Sequence, residues 1–173
     1  MRTLLSFVAM LLVIFGAVYV LGNILPVEHT TEVTKVIDAP QAEVWQRITD
    51  LSTQMQWRHE VKSIDILPPK VDSPCWTEHQ RVDVSFCVES QTPPARRVIH
   101  VEDVDGGFNG TWTYTVFTMS SNQTGVIITE EGSIHPPLWR VASRLMGEDA
   151  QVKRYLQALE TSFTGKEPHH SII

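Results

Sequence analysis

The run Cys75-Trp76-Thr77-Glu78-His79-Gln80 puts a carboxylate beside an imidazole in a segment that reads as a β-strand. Neighbouring strand residues point to opposite faces, so at most one of Glu78 and His79 can enter an interior. Trp76 shares the face of Glu78. That would set the carboxyl group against an aromatic wall, where burial raises a carboxyl pKa and creates a candidate general acid or base. The ordinary fate of a strand carboxylate is solvent, so Glu78 is a candidate weighed against that reading. Glu130 and Glu131 also alternate; they are not the facing pair that glycoside hydrolysis needs, and solvated strand faces account for them. The seven histidines include His29, His59, His79, His100 and His135, scattered without H-x-x-x-H, H-E-x-x-H or C-x-x-C spacing, and no metal is expected. There is no G-x-S-x-G elbow and no glycine-rich phosphate loop, Gly106-Gly107 being a turn between strands, so neither a nucleophilic hydrolase nor a nucleotide cofactor is expected.

The elements that would position these groups follow from hydrophobic period and turn residues. "EHTTEVTKVID" alternates as a first strand and stops at Asp38-Ala39-Pro40, where Asp38 and Gln41 have capping-box spacing. Val44, Trp45, Ile48 and Leu51 mark one face of a short helix, and Ser52 can cap a second through Met55 and Trp57. Six β-type runs follow, broken at Pro68-Pro69, near Arg81, at Pro93-Pro94, at Gly106-Gly107 and at Ser121-Asn122. With no helix between them the sheet should be antiparallel. In "GTWTYTV", Trp112, Tyr114 and Val116 occupy one face and Thr111, Thr113 and Thr115 the other. After Pro136-Pro137, the positions Leu138, Val141, Leu145, Val152, Leu156, Leu159 and Phe163 form the stripe of a long C-terminal helix. Gly147 interrupts it, which predicts a bend or break.

The first 26 residues stand apart. No charge occurs between Arg2 and Glu28, and Leu4 to Leu21 is almost unbroken apolar sequence, close to the roughly 20 residues needed to cross a bilayer. A cleaved signal peptide competes with an uncleaved anchor; the anchor is preferred because signal h-regions run only about 7 to 15 residues. Arg2 as the sole preceding cation places the N-terminus in the cytoplasm and the domain outside, by the positive-inside rule. The expected division is an anchor or signal segment over 1–26, one domain over 27–164 and a tail over 165–173. From residue 27 onward, 13 Lys and Arg face 20 Asp and Glu, a net of −7. That balance argues against nucleic acid and against electrostatic adhesion to anionic lipid.

The order of strand, two short helices, six strands and long helix resembles the helix-grip fold of the polyketide cyclase and START-like (SRPBCC) superfamily. "IDAPQAEVWQRITDLSTQMQW", "CWTEH", "GTWTYTV", "GVIITEEGSI" and "RYLQALE" carry the likeness over roughly Glu28 to Phe163. The resemblance implies an α+β domain in which the short helices close one end of an antiparallel sheet of about seven strands. The long helix would lie across the sheet and leave a cavity. It places Trp57, Trp76, Glu78, Trp112, Tyr114, Leu138, Val141 and Leu145 at a ligand pocket. The resulting expectation is a monomeric, membrane-anchored module binding a hydrophobic small molecule or lipid. Its rivals are a cyclase- or dehydratase-like enzyme using Glu78, and an interaction domain with a filled core.

Cys75 and Cys87 are each six residues from Arg81. A hairpin centred there sets them opposite each other within disulfide reach, and an oxidising compartment would favour the bridge. A register shift of one residue would separate them, and two buried free thiols are the alternative.

Overall fold

The computed structural model describes residues 2–70 and 73–165. All but Gly165 of the 165–173 tail lies outside the described residues. Helix α1 (Arg2–Ile24) is followed by β1 (Glu28–Ile37), then α2 (Gln41–Thr49), a 3₁₀ turn (Leu51–Thr53) and α3 (Gln54–Trp57). Strands β2 (Ser63–Lys70), β3 (Ser73–His79), β4 (Asp83–Thr92), β5 (Arg96–Asp103), β6 (Phe108–Ser120) and β7 (Gln123–Ile134) come next. Helices α4 (Pro137–Met146) and α5 (Ala150–Thr164) complete the chain.

The strands form one antiparallel sheet of seven, in the order β1-β7-β6-β5-β4-β3-β2. The chain leaves β1 at one edge, crosses through α2 and α3 to the opposite edge, and returns as a meander that ends beside β1. Alternation sorts the faces: Val84, Phe86 and Val88 of β4 and Trp112, Tyr114 and Val116 of β6 are buried on the inner side. Against them pack Val44 and Ile48 of α2, Trp57 of α3, and Val152, Tyr155, Leu156 and Leu159 of α5. The Tyr155 ring is the hub, 5.4 Å from Trp57, 5.8 Å from Trp112 and 5.7 Å from Tyr114 between ring centroids.

Several local expectations are corrected. Pro68-Pro69 does not end β2 but lies within it, at a register shift between Leu67 and Lys70. An edge strand tolerates this because its outer N–H groups owe no ladder bond. Asp38 does not cap α2, whose N-cap is Pro40. Instead Gln123 Nε2 donates to Asp38 (2.9 Å), and Gln41 Nε2 donates to the Val116 carbonyl (2.8 Å), tying the helix entry to β6 and β7. Asp50 rather than Ser52 supplies the next cap, accepting from the Ser52 backbone N–H at 3.0 Å. The C-terminal stripe is two helices, broken at Gly147 with φ +90°, a conformation that side chains with a Cβ rarely adopt. The hairpin is centred on Arg81, Cys75 pairs with Cys87 at a Cα separation of 4.2 Å, and the two form a disulfide.

Candidate functional site

Between the inner face of β5–β7 and the two C-terminal helices lies a cavity of about 670 Å³. Val101, Phe108, Trp112 and Ile134 form its sheet wall; Trp139, Ala142 and Met146 of α4 and Ala150 and Gln151 of α5 form the helical wall. The helical stripe breaks at Gly147, which itself lines this space, and the core cluster takes residues from α5 and none from α4. His29, Arg81, Asn109, Glu130, Glu148 and Arg154 also reach the cavity and supply polar groups.

His29 Nε2 is 3.8 Å from Glu130 Oε1, and the two side chains are only 9% and 16% exposed. The Glu130 carboxylate, as proton acceptor and negative charge, raises His29 above the usual histidine range, while burial opposes the shift. Glu130 Oε2 is buried without a hydrogen-bond partner. Glu130 therefore departs from the solvated-face reading: only Glu131, pointing the other way, is exposed.

Glu78 is 1% exposed and faces inward, as its pairing with Trp76 anticipated. Arg58 grips it with two hydrogen bonds of 2.8 and 2.7 Å, Trp76 Nε1 donates at 3.1 Å and Gln80 Nε2 at 2.8 Å. Burial disfavours the Arg58 charge, but Glu78 outweighs it and holds the guanidinium above its ordinary value. Four donors leave the Glu78 oxygens little capacity to serve a substrate. His79, on the opposite face, bridges Asp65 (3.0 Å) and Asp83 (2.9 Å), and these two carboxylates raise its pKa.

Trp76, Glu78, Trp112 and Tyr114 gather with Arg58, Arg97, Gln151 and Tyr155 around a small internal void of about 20 Å³. Arg97 is 6% exposed and sits over the Trp76 ring at 5.5 Å; burial lowers its pKa. Burial also raises Tyr114 well above the ordinary tyrosine value and pushes Tyr155 up to about 12. Of the residues placed at a pocket by resemblance, Trp112 alone lines the large cavity. Trp57 packs on Tyr155 and Val141 is buried, while Leu138 and Leu145 are 36% and 83% exposed and line neither space. Arg58, Arg97, His29, Gln151 and Tyr155 carry no local sequence signal; Arg58, Arg97, His29 and Tyr155 each meet a partner distant in the chain. Among the described residues, no group of three or more His, Cys, Asp or Glu side chains is arranged to hold a metal ion.

An antiparallel sheet packed around a C-terminal helix, with a cavity between them, is the helix-grip architecture of START-like proteins. The chain belongs to the family described as polyketide cyclase / dehydrase and lipid transport, whose model matches residues 28–163. It is similar in structure to a START superfamily protein from Mycobacterium smegmatis (16% identity, 79% of this chain and 98% of that one, TM-score 0.65). It is likewise similar to the Zhui aromatase/cyclase from Streptomyces sp. R1128 (14% identity, 84% and 99%, TM-score 0.65). A third likeness is to a truncated norcoclaurine synthase from Thalictrum flavum (8% identity, 82% and 96%, TM-score 0.63). No curated protein matches the chain significantly in sequence.

Proposed function

We propose that the protein is a membrane-anchored binding module that holds an apolar small molecule or lipid between β5–β7 and the C-terminal helices. The cavity carries this reading: about 670 Å³ suits a ligand of drug or lipid-chain size, its walls are largely apolar, and a few polar groups converge on it. The family description includes lipid transport, and a solved structural relative is a START superfamily protein. Anchoring rests on Ser6–Ile24, 19 residues of mean hydropathy 2.4, a helix apolar enough to cross a membrane. An extracytoplasmic domain is favoured by Arg2 as the sole preceding cation and by the Cys75–Cys87 disulfide, a bond that persists in oxidising compartments. For the enzymatic rival, Glu78 is a poor acid or base because its oxygens are already engaged.

Native mass spectrometry of the full chain released from detergent micelles tests the reading. A co-purifying apolar species should be retained by the wild type and lost on Ala142→Trp, which fills the cavity. Equal retention by both proteins would reject the cavity as the binding site.

A further inference from the structure

One face of α4 is apolar and largely exposed although it also borders the cavity, and the helix is bound to the end of the membrane-length helix. Leu138, Trp139, Ala142, Leu145 and Met146 stand at i, i+1, i+4, i+7 and i+8, one continuous face without a charge. Trp139, Leu145 and Met146 are 42%, 83% and 72% exposed. On another side of the helix Arg140, 8% exposed, donates from Nε to the Gly22 carbonyl at 2.7 Å. Its Nη1 donates to the carbonyls of Ile134 (3.0 Å) and His135 (2.7 Å). Gly22 lies in the last turn of α1, whose carbonyls lack helical partners, and a guanidinium there also meets the negative end of the helix dipole. The backbones of α1 and α4 touch so closely that a Cβ at position 22 would collide with Pro137.

These contacts place α4 at the level where the apolar span ends. Nineteen helical residues rise about 28 Å, the thickness of a bilayer core, so Gly22 sits at its boundary. Leu21 and Ile24 beside it are also exposed. Trp139, Ala142 and Met146 belong at once to the exposed face and to the cavity wall.

We propose that α4 lies in the headgroup boundary of the membrane crossed by α1, and that the cavity opens through this helix to the bilayer and takes its ligand from there rather than from water. This rests on the reading of α1 as an anchor and of the cavity as a binding site. A lipid surface is the occupant because the apolar face continues the apolar surface of α1, fixed to it by Arg140 and Gly22.

The test uses the full chain in phosphatidylcholine vesicles. With both native cysteines in the disulfide, Leu145→Cys takes a single nitroxide, and Glu102→Cys on β5 serves as a water-facing control. Lipid contact predicts that oxygen relaxes the label at 145 at least about threefold more effectively than a water-soluble nickel chelate does, with the reverse at 102. Chelate access at 145 equal to that at 102 would overturn the proposal. So would a label reached by neither agent, which would mean a second copy of the chain covers the face. For the port, uptake of a nitrobenzoxadiazole-labelled fatty acid is followed. Leu138→Asp with Leu145→Asp, at positions lining neither space, should slow uptake from vesicles about tenfold or more and leave uptake from detergent unchanged. Unchanged uptake from vesicles would overturn the port. If the wild type took up the probe from neither source, the cavity reading would fail, while the collision measurement would still decide where α4 lies.

Discussion

Arg58 and Glu78, 20 residues apart, meet as a buried bidentate pair, and their energetics differ from those of the surface ion pairs such as Lys153 with Asp149. Removing one partner strands a desolvated charge. Arg58→Met should therefore destabilise the fold by about 3 to 5 kcal/mol, read by chemical denaturation. Arg58→Met with Glu78→Leu should be milder than the single change, because neither charge remains. A double variant as unstable as the sum of its singles would show that the two do not act as a pair. His29 and Glu130 predict a pH dependence. The folded His29 pKa is raised by Glu130, with Glu148 adding to the shift and burial and Arg144 opposing it. A raised value means that the pair stabilises fully below the ordinary histidine value of about 6.5 and ceases to do so as pH rises through the folded value. His29→Gln should then cost about 0.5 to 1 kcal/mol at pH 5.5 and much less at pH 8.5. Equal losses of melting temperature at both pH values would show that the proton on His29 contributes nothing.

At the scale of elements, Gly147 decides where the C-terminal helices go. Intrinsic propensity makes a helical Gly→Ala change favourable by up to about 1 kcal/mol, but here φ is +90° and a Cβ is strained whatever space surrounds it. Gly147→Ala should thus destabilise by about 1 to 2 kcal/mol and reduce ligand retention, since the break positions the α4 wall of the cavity. A higher melting temperature with retention intact would mean that the break is incidental. The broken helix also explains Leu145. An uninterrupted stripe would carry it onto the core with Leu156 and Leu159, but α4 ends at Met146, before Gly147, and Leu145 is 83% exposed. Strand register, by contrast, was legible from the two cysteines. Equal spacing about Arg81 sets Cys75 against Cys87, and the pairing has that register.

For the whole molecule, the disulfide closes a 12-residue separation between neighbouring strands of the sheet. Loop-closure entropy puts the cost of losing it at about 2 to 3 kcal/mol. Thiol counting on the unreduced, denatured chain from its native host should find no free cysteine, and reduction should lower the denaturation midpoint. Two free thiols would count against both the bridge and an extracytoplasmic domain. The crossing from β1 through α2 and α3 to the far edge of the sheet creates the remaining long-range geometry. It puts β1 beside β7, and so His29 beside Glu130 at the cavity.

Alternation, helical period, turn residues and one uncharged N-terminal stretch determined the element order, the antiparallel sheet, the break near Gly147 and a helix of membrane length, because each is a local property of consecutive side chains. The tertiary structure decided which polar groups are buried and what they face. Glu78 is saturated because Arg58, just after α3, reaches β3, Glu130 reaches a cavity whose other wall is α4 and α5, and Arg140 joins Gly22 across a separation of 118 residues. Such partners follow from strand order and helix docking, in which burial sums over many distant contacts, and no spacing within a single element encodes them.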